Sequence, residues 1–161
     1  MPAGQIRMPV VAGQFYEGAA TALERQVDQC YLGPLGPGIA PKVNAEGPRE
    51  IVGLICPHAG YVFSGPTAAH AYAALAADGE PEVVVVIGLK HSPLHGGSAV
   101  QTAGVWRTPL GDAQIAGDVA AEIAGKLPDF ATDANAFAGE HSLEVQLPFL
   151  QDLYEEGLRF V

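Results

Sequence analysis

Apolar positions along the chain fall into three kinds of run. Two are continuous and of strand length: Ile51–Cys56, stopped by Pro57, and Val83–Ile87, which is β-branched throughout and predicts a strand buried on both faces. Others recur at helical spacing. Leu23, Val27 and Cys30 or Tyr31 share one face of a helix that Thr21 is placed to cap, with Glu24, Arg25 and Asp28 outside. Ala68, Ala69, Tyr72, Ala73, Leu75 and Ala76 give a small-residue face to a helix opening near Ser64 and Pro66. Ile115, Val119, Ile123 and Leu127 repeat every four residues behind a cap at Asp112. Leu143, Leu147 and Leu150 mark another buried stripe, which Pro148 is expected to kink or divide, with Glu140 and Glu144 on one side.

The third kind of run is short and broken. Met8–Tyr16 contains Pro9 and Gly13 and reads as an extended arm packed on the sheet. Ser98–Gln101 and Val105–Thr108 read as short strands, Thr108–Gly111 as a turn and Leu158–Val161 as the beginning of a strand. Residues 33–48 are too rich in proline and glycine for a regular element and read as a loop. Strands alternating with helices predict one α/β domain over residues 1–161, with a mostly parallel central sheet flanked by helices. A parallel sheet that stops at Leu158–Val161 leaves an apolar edge open, so the pattern predicts a truncated domain, or a second copy covering that edge.

Composition narrows the classes. With 161 residues and 48% hydrophobic content, the chain is large enough for one domain with a packed core. Eight basic against 18 acidic residues give a formal charge of −10, which opposes nucleic acids and anionic membrane surfaces. Cys30 and Cys56 form neither a CxxC pair nor a disulfide framework, so a reducing, cytoplasmic setting is expected. Met1–Val11 lacks the basic and apolar regions of a signal peptide, and no apolar run approaches the roughly 18 residues of a membrane span.

The candidate chemistry lies where the two continuous runs end. His58 follows Pro57 at once, and His91 stands three residues after Gly88. In open α/β sheets ligands bind beyond the carboxyl ends of strands, and sequential parallel strands are usually neighbours. Two histidines converging there are a start for a metal site, with Gly60 and Gly65 allowing the loop to fold tightly around His58. His70, in a helix body, and His95, beside Gly96-Gly97, read as structural or solvated. Trp106 reads as a core or sub-core anchor, with a pocket wall as the functional alternative. Glu140 and His141 open the last helix, where the sequence leaves two readings: a carboxylate capping the helix, or a charged pair facing the crevice with acid/base roles. Ser64 and Ser92 lack a G-x-S-x-G turn, and neither a phosphate-binding loop nor an H-E-x-x-H helix is present.

Five stretches taken together carry a resemblance: Val11–Tyr16, Pro57–Gly65, Gly88–His91, Trp106–Gly111 and Glu140–Phe149. In this order they resemble the Memo family, protein B of the AmmeMemoRadiSam system, related in fold to the class III (LigB-type) extradiol dioxygenases. The resemblance implies a strand-end metal pocket, with His58 and His91 matching two of the family's metal-binding histidines. It implies iron(II), with copper or zinc as alternatives, and partnership with radical S-adenosylmethionine and AMMECR-type proteins. The family's third ligand, a cysteine, lies in a second half that has no counterpart before Val161, so Cys56 is not its equivalent. Where the family has Gly-Pro-Ser-His-His, this chain has Gly88-Leu89-Lys90-His91-Ser92. The expectation is a Memo-like protein with non-haem iron(II) redox or dioxygenase-type chemistry; the alternative is a non-enzymatic member that binds a peptide or partner. A zinc hydrolase is a weaker third reading.

Overall fold

The computed structural model describes residues 6–91 and 97–161. Its described helices are α1 (Ala20–Leu32), α2 (Tyr61–Ala77), α3 (Gly117–Lys126) and α4 (Leu147–Tyr154); its strands are β1 (Ile6–Arg7), β2 (Val105–Thr108), β3 (Gly111–Ile115) and β4 (Arg159–Phe160). The sheet runs in the order β1-β2-β3-β4, with β1/β2 and β3/β4 parallel and β2/β3 an antiparallel hairpin. A parallel bridge from Val84 to Phe160 extends it beyond β4. The architecture is α/β with a mostly parallel open sheet, as expected.

The helices form where apolar spacing demands. Leu23, Val27, Cys30 and Tyr31 are the buried face of α1, and Ala68, Ala69, Tyr72 and Ala76 that of α2. The two pack closely because Gly65 leaves room. A Cβ there would lie 2.5 Å from Cys30 Sγ, so Gly65 serves helix packing rather than the His58 loop. Phe149 of α4 closes the core, stacked on Tyr72 at 4.8 Å and meeting Tyr31 edge-on at 5.6 Å. Full burial of one such ring stabilises the fold by about 1.5–3 kcal/mol. Trp106 is also buried in the core, its indole N–H donated to Gln101 Oε1 at 2.9 Å.

Several expected elements take another form. Asp112 does not cap a helix: Gly111–Ile115 is β3, with Ala113 and Ile115 buried and Asp112 paired outward to Arg107 at 2.6 Å. The two-residue period of those side chains overrides the four-residue spacing. Thr21 lies inside α1, whose N-cap is Ala19. The last helix is divided, with a 3-10 turn at Glu144–Gln146 running into α4 and Pro148 in its first turn, where a missing N–H breaks no bond. Glu140 therefore precedes the helix and shares no helical face with Glu144.

The two continuous runs give the largest correction. Ile51–Cys56 is not a strand, and among the described residues Val83–Gly88 pairs only with the β4 side. Val52 and Ile55 are fully exposed and Ile87 is 91% exposed, so neither run is buried on both faces. A strand takes its hydrogen bonds from neighbours, and among the described residues no neighbour reaches the backbone of residues 52–56. Among the described residues Ser98–Gln101 likewise makes only the bridge from Ala99 to Ala131.

Candidate metal centre

Three histidines from three separate segments meet in one cluster. His58 follows Pro57, whose carbonyl accepts Gln146 Nε2 at 3.1 Å; Gln146 Oε1 in turn accepts the Tyr72 hydroxyl at 2.7 Å. The start of α2 is fixed from both sides, with the Tyr61 amide donating to Phe15 O and its hydroxyl to Val145 O, each at 2.7 Å. His91 is anchored twice on one carboxylate. Its amide donates to Glu140 Oε2 at 2.8 Å and its Nδ1 lies 2.9 Å from Oε1. His141 follows that glutamate and meets the Phe15 ring edge-on at 5.0 Å.

The rings converge, with centroids 5.4 Å apart for His58–His91, 6.0 Å for His58–His141 and 4.2 Å for His91–His141. One nitrogen from each lies within 4.8 Å of the other two. Small side-chain rotations bring such a set to a single ion at the usual imidazole–metal distance of about 2.1 Å. Glu140 and Cys56 are not among the clustered ligand atoms.

Electrostatics favour neutral, ligating imidazole at His141. Burial and the neighbouring His91 ring lower its pKa, with Glu140 acting the other way. At Glu140 burial alone raises the pKa, but hydrogen bonds from the His91 and Ser142 amides outweigh it and bring the value down to about 2. An ionised carboxylate only accepts, so in this contact Nδ1–H of His91 is the donor.

A run of alternate polar residues supports this end of the molecule: Glu140, Ser142, Glu144 and Gln146 are all buried. Ser142 donates to Leu89 O at 3.3 Å, and Gly88 packs so closely that a Cβ there would stand 2.5 Å from Ser142 Oγ. Glu144, with no exposed surface, accepts from Arg7 Nη1 (2.6 Å), the Tyr16 hydroxyl (2.8 Å) and the amides of Val10 and Val11. Arg7 also donates to the carbonyl of Glu140 at 2.5 Å and lies 3.8 Å over the Trp106 ring. The arm is therefore tied to the histidine-bearing segment rather than simply laid on the sheet. Arg7, Glu144 and Gln146 were not singled out from the sequence as working residues. Polar side chains at every second position of an apolar stretch are the signal that points to Glu144 and Gln146; Arg7 carries none, because its partner is 137 residues away.

The remaining singled-out residues lie apart. His70 is exposed on α2, 3.2 Å from Leu35 O, and Ser64 donates to Ala59 O at 3.1 Å. His95 and Ser92 fall outside the described residues.

A family model described as Memo-like protein matches residues 7–160. The chain belongs to the Memo family. Similar chains include MEMO1 family proteins of Methanopyrus kandleri, 47% identical over 155 residues, and of Ignicoccus hospitalis, 42% identical over 156. A third, from Sulfurisphaera tokodaii, is 41% identical over 157 residues. The matches cover 96–97% of this Memo-family chain and 54–55% of the relatives, so it spans about half their length.

Proposed function

We propose that this Memo-family chain binds a divalent first-row metal ion through His58, His91 and His141, and that the ion is iron(II) used in redox or dioxygenase-type chemistry. The observation that carries the reading is the convergence of three imidazole nitrogens within 4.8 Å. The donor set fits the ion: neutral imidazoles suit iron, copper and zinc, and three ligands leave coordination positions open. When bound, such an ion polarises a ligand oxygen or exchanges an electron with it. The chain's own residues prepare the site. Glu140 holds the Nδ1 proton of His91 and so fixes its tautomer, the Tyr72–Gln146–Pro57 chain sets the entry of the His58 loop, and His141 supplies the third imidazole. In this proposal Glu140 is a positioning residue and His141 a ligand, rather than an acid/base pair.

An anaerobic iron(II) titration of the chain and of its His58→Ala, His91→Ala and His141→Ala variants, with metal content read after desalting, tests it. Near-stoichiometric iron in the parent chain and loss in each variant is the expected result. Retention by His141→Ala removes that residue from the ligand set, and no iron in the parent chain ends the reading. Zinc and copper(I) titrations run beside it decide the metal.

The exposed apolar side chains Val52, Ile55, Val85 and Ile87 favour a second reading, a member that acts by binding a peptide or protein. Radical S-adenosylmethionine and AMMECR-type proteins are then the partners to try. Capture of such a partner by metal-free chain, surviving His58→Ala, distinguishes it from the enzymatic reading.

A further inference from the structure

The three imidazoles are not held alike. His91 is turned by a carboxylate, through the contact of its Nδ1 with Glu140 at 2.9 Å, and metal-ligating histidines usually owe their ring orientation to such a partner. The His141 imidazole has no hydrogen-bond partner among the described residues. What lies against it, besides the two other histidines, is the ring of Phe15, edge-on at 5.0 Å with 69° between the planes. Phe15 is itself held along its backbone. Its amide donates to Val11 O at 2.8 Å and its carbonyl accepts the Tyr61 amide at 2.7 Å. The amides of Val10 and Val11, which begin this turn, are donated to Glu144, and the Tyr16 hydroxyl that ends it reaches the same carboxylate at 2.8 Å. Glu144 stands three residues after His141, so one segment carries both the imidazole and the anchor of the ring that abuts it. Tyr61 stands three residues after His58. Phe15 therefore touches two of the three histidine-bearing segments, one with its ring and the other with its carbonyl.

We infer, on the three-histidine reading above, that Phe15 is a positioning residue of the metal centre: its ring holds the His141 imidazole in the orientation that brings a nitrogen to those of His58 and His91. An edge-on ring pair has a preferred angle, because the ring quadrupoles set it, whereas an aliphatic side chain in the same space packs without direction. The arm thus does more than cover the core. It delivers to His141 the orienting contact that Glu140 delivers to His91, by packing instead of by a hydrogen bond.

Phe15→Leu and Phe15→Met separate a directional ring from an apolar filler at a half-buried position, where the filler keeps the chain folded. Zinc(II) affinity is measured by competition with a chelator of known affinity, in the whole 161-residue chain and again in its His141→Ala background. A loss of roughly tenfold is expected for each Phe15 variant in the parent, and less than about twofold where residue 141 is alanine, because a residue that acts through another has no effect once the other is gone. Equal losses in both backgrounds assign Phe15 to the fold at large and overturn the inference, as does parent-like affinity in both variants. A metal-free readout separates this result from the reading beneath it. Magnetisation transfer between the ring protons of His91 and His141, whose centroids lie 4.2 Å apart, is expected in the parent and is expected to be lost in both variants. That pattern in a chain that holds no zinc fails the metal reading and leaves Phe15 as the residue that turns His141. Transfer that persists in both variants overturns the inference whether or not zinc is bound.

Discussion

Glu140 has little spare hydrogen-bonding capacity: two amides and one imidazole converge on a carboxylate that is 3% exposed. Glu140→Gln replaces an acceptor-only group by one that also donates, and the His91 tautomer loses its control. Metal affinity is expected to fall by about 10- to 100-fold with all three histidines intact, measured by competition with a chelator of known affinity. In metal-free protein the same carboxylate makes stability depend on acid. Its folded pKa of about 2 lies below the ordinary 4.5, so its contribution is complete above about pH 4.5 and is lost as pH falls toward 2. Urea midpoints from pH 6 to 2 should fall more steeply for the parent than for Glu140→Gln, and parallel curves would exclude the effect. Gly88→Ala places a methyl group 2.5 Å from Ser142 Oγ and 2.6 Å from Leu143 Cδ2. A loss of about 1–3 kcal/mol in urea unfolding is expected, of the size overpacking produces.

At the scale of elements, α4 is the piece on which the aromatic core turns, since Phe149 touches the rings of Tyr31, Tyr61 and Tyr72. Phe149→Ala should cost about 3–5 kcal/mol of stability, read from denaturant unfolding, and a cost below 1 kcal/mol would show that the core repacks around the gap. α1 and α2 were legible because their buried faces are set by local spacing, and so were the β2 strand and its turn. β3 was not. Gly111–Ile115 offers two periods at once, and the pairing of Trp106 with Ala113 decides between them only after the hairpin closes. Ile51–Cys56 misled for the opposite reason: its composition is that of an interior strand, but composition cannot provide the neighbour that makes one. Of the site, His58 and His91 were legible because each ends an apolar run, and the structure brings them together. His141 was noticed and given a different chemistry, since its approach to the other two depends on the 3-10 turn at Glu144–Gln146 and on a glutamate whose partner lies 49 residues earlier.

At the scale of the whole molecule, Arg7 and Glu144, both buried, tie together segments 137 residues apart. Arg7→Ala leaves Glu144 without its cation and should destabilise the fold by about 3–5 kcal/mol, seen as a lowered thermal midpoint. A melting curve like the parent's would mean that the Val10, Val11 and Tyr16 donors suffice. Among the described residues no helix is long and apolar enough to cross a membrane. The Arg7–Glu144 tie also bears on the order of events during folding. Closing a loop of that span is slow and entropically costly, and here the closure joins the arm to the segment that carries Glu140 and His141. Helices α1 and α2 can assemble from nearby residues while the chain is still being made, but the three imidazoles cannot gather until the 140–146 segment has emerged and captured the arm. The three-histidine cluster is thus expected to order after the α1–α2 pair, in step with the Arg7–Glu144 closure.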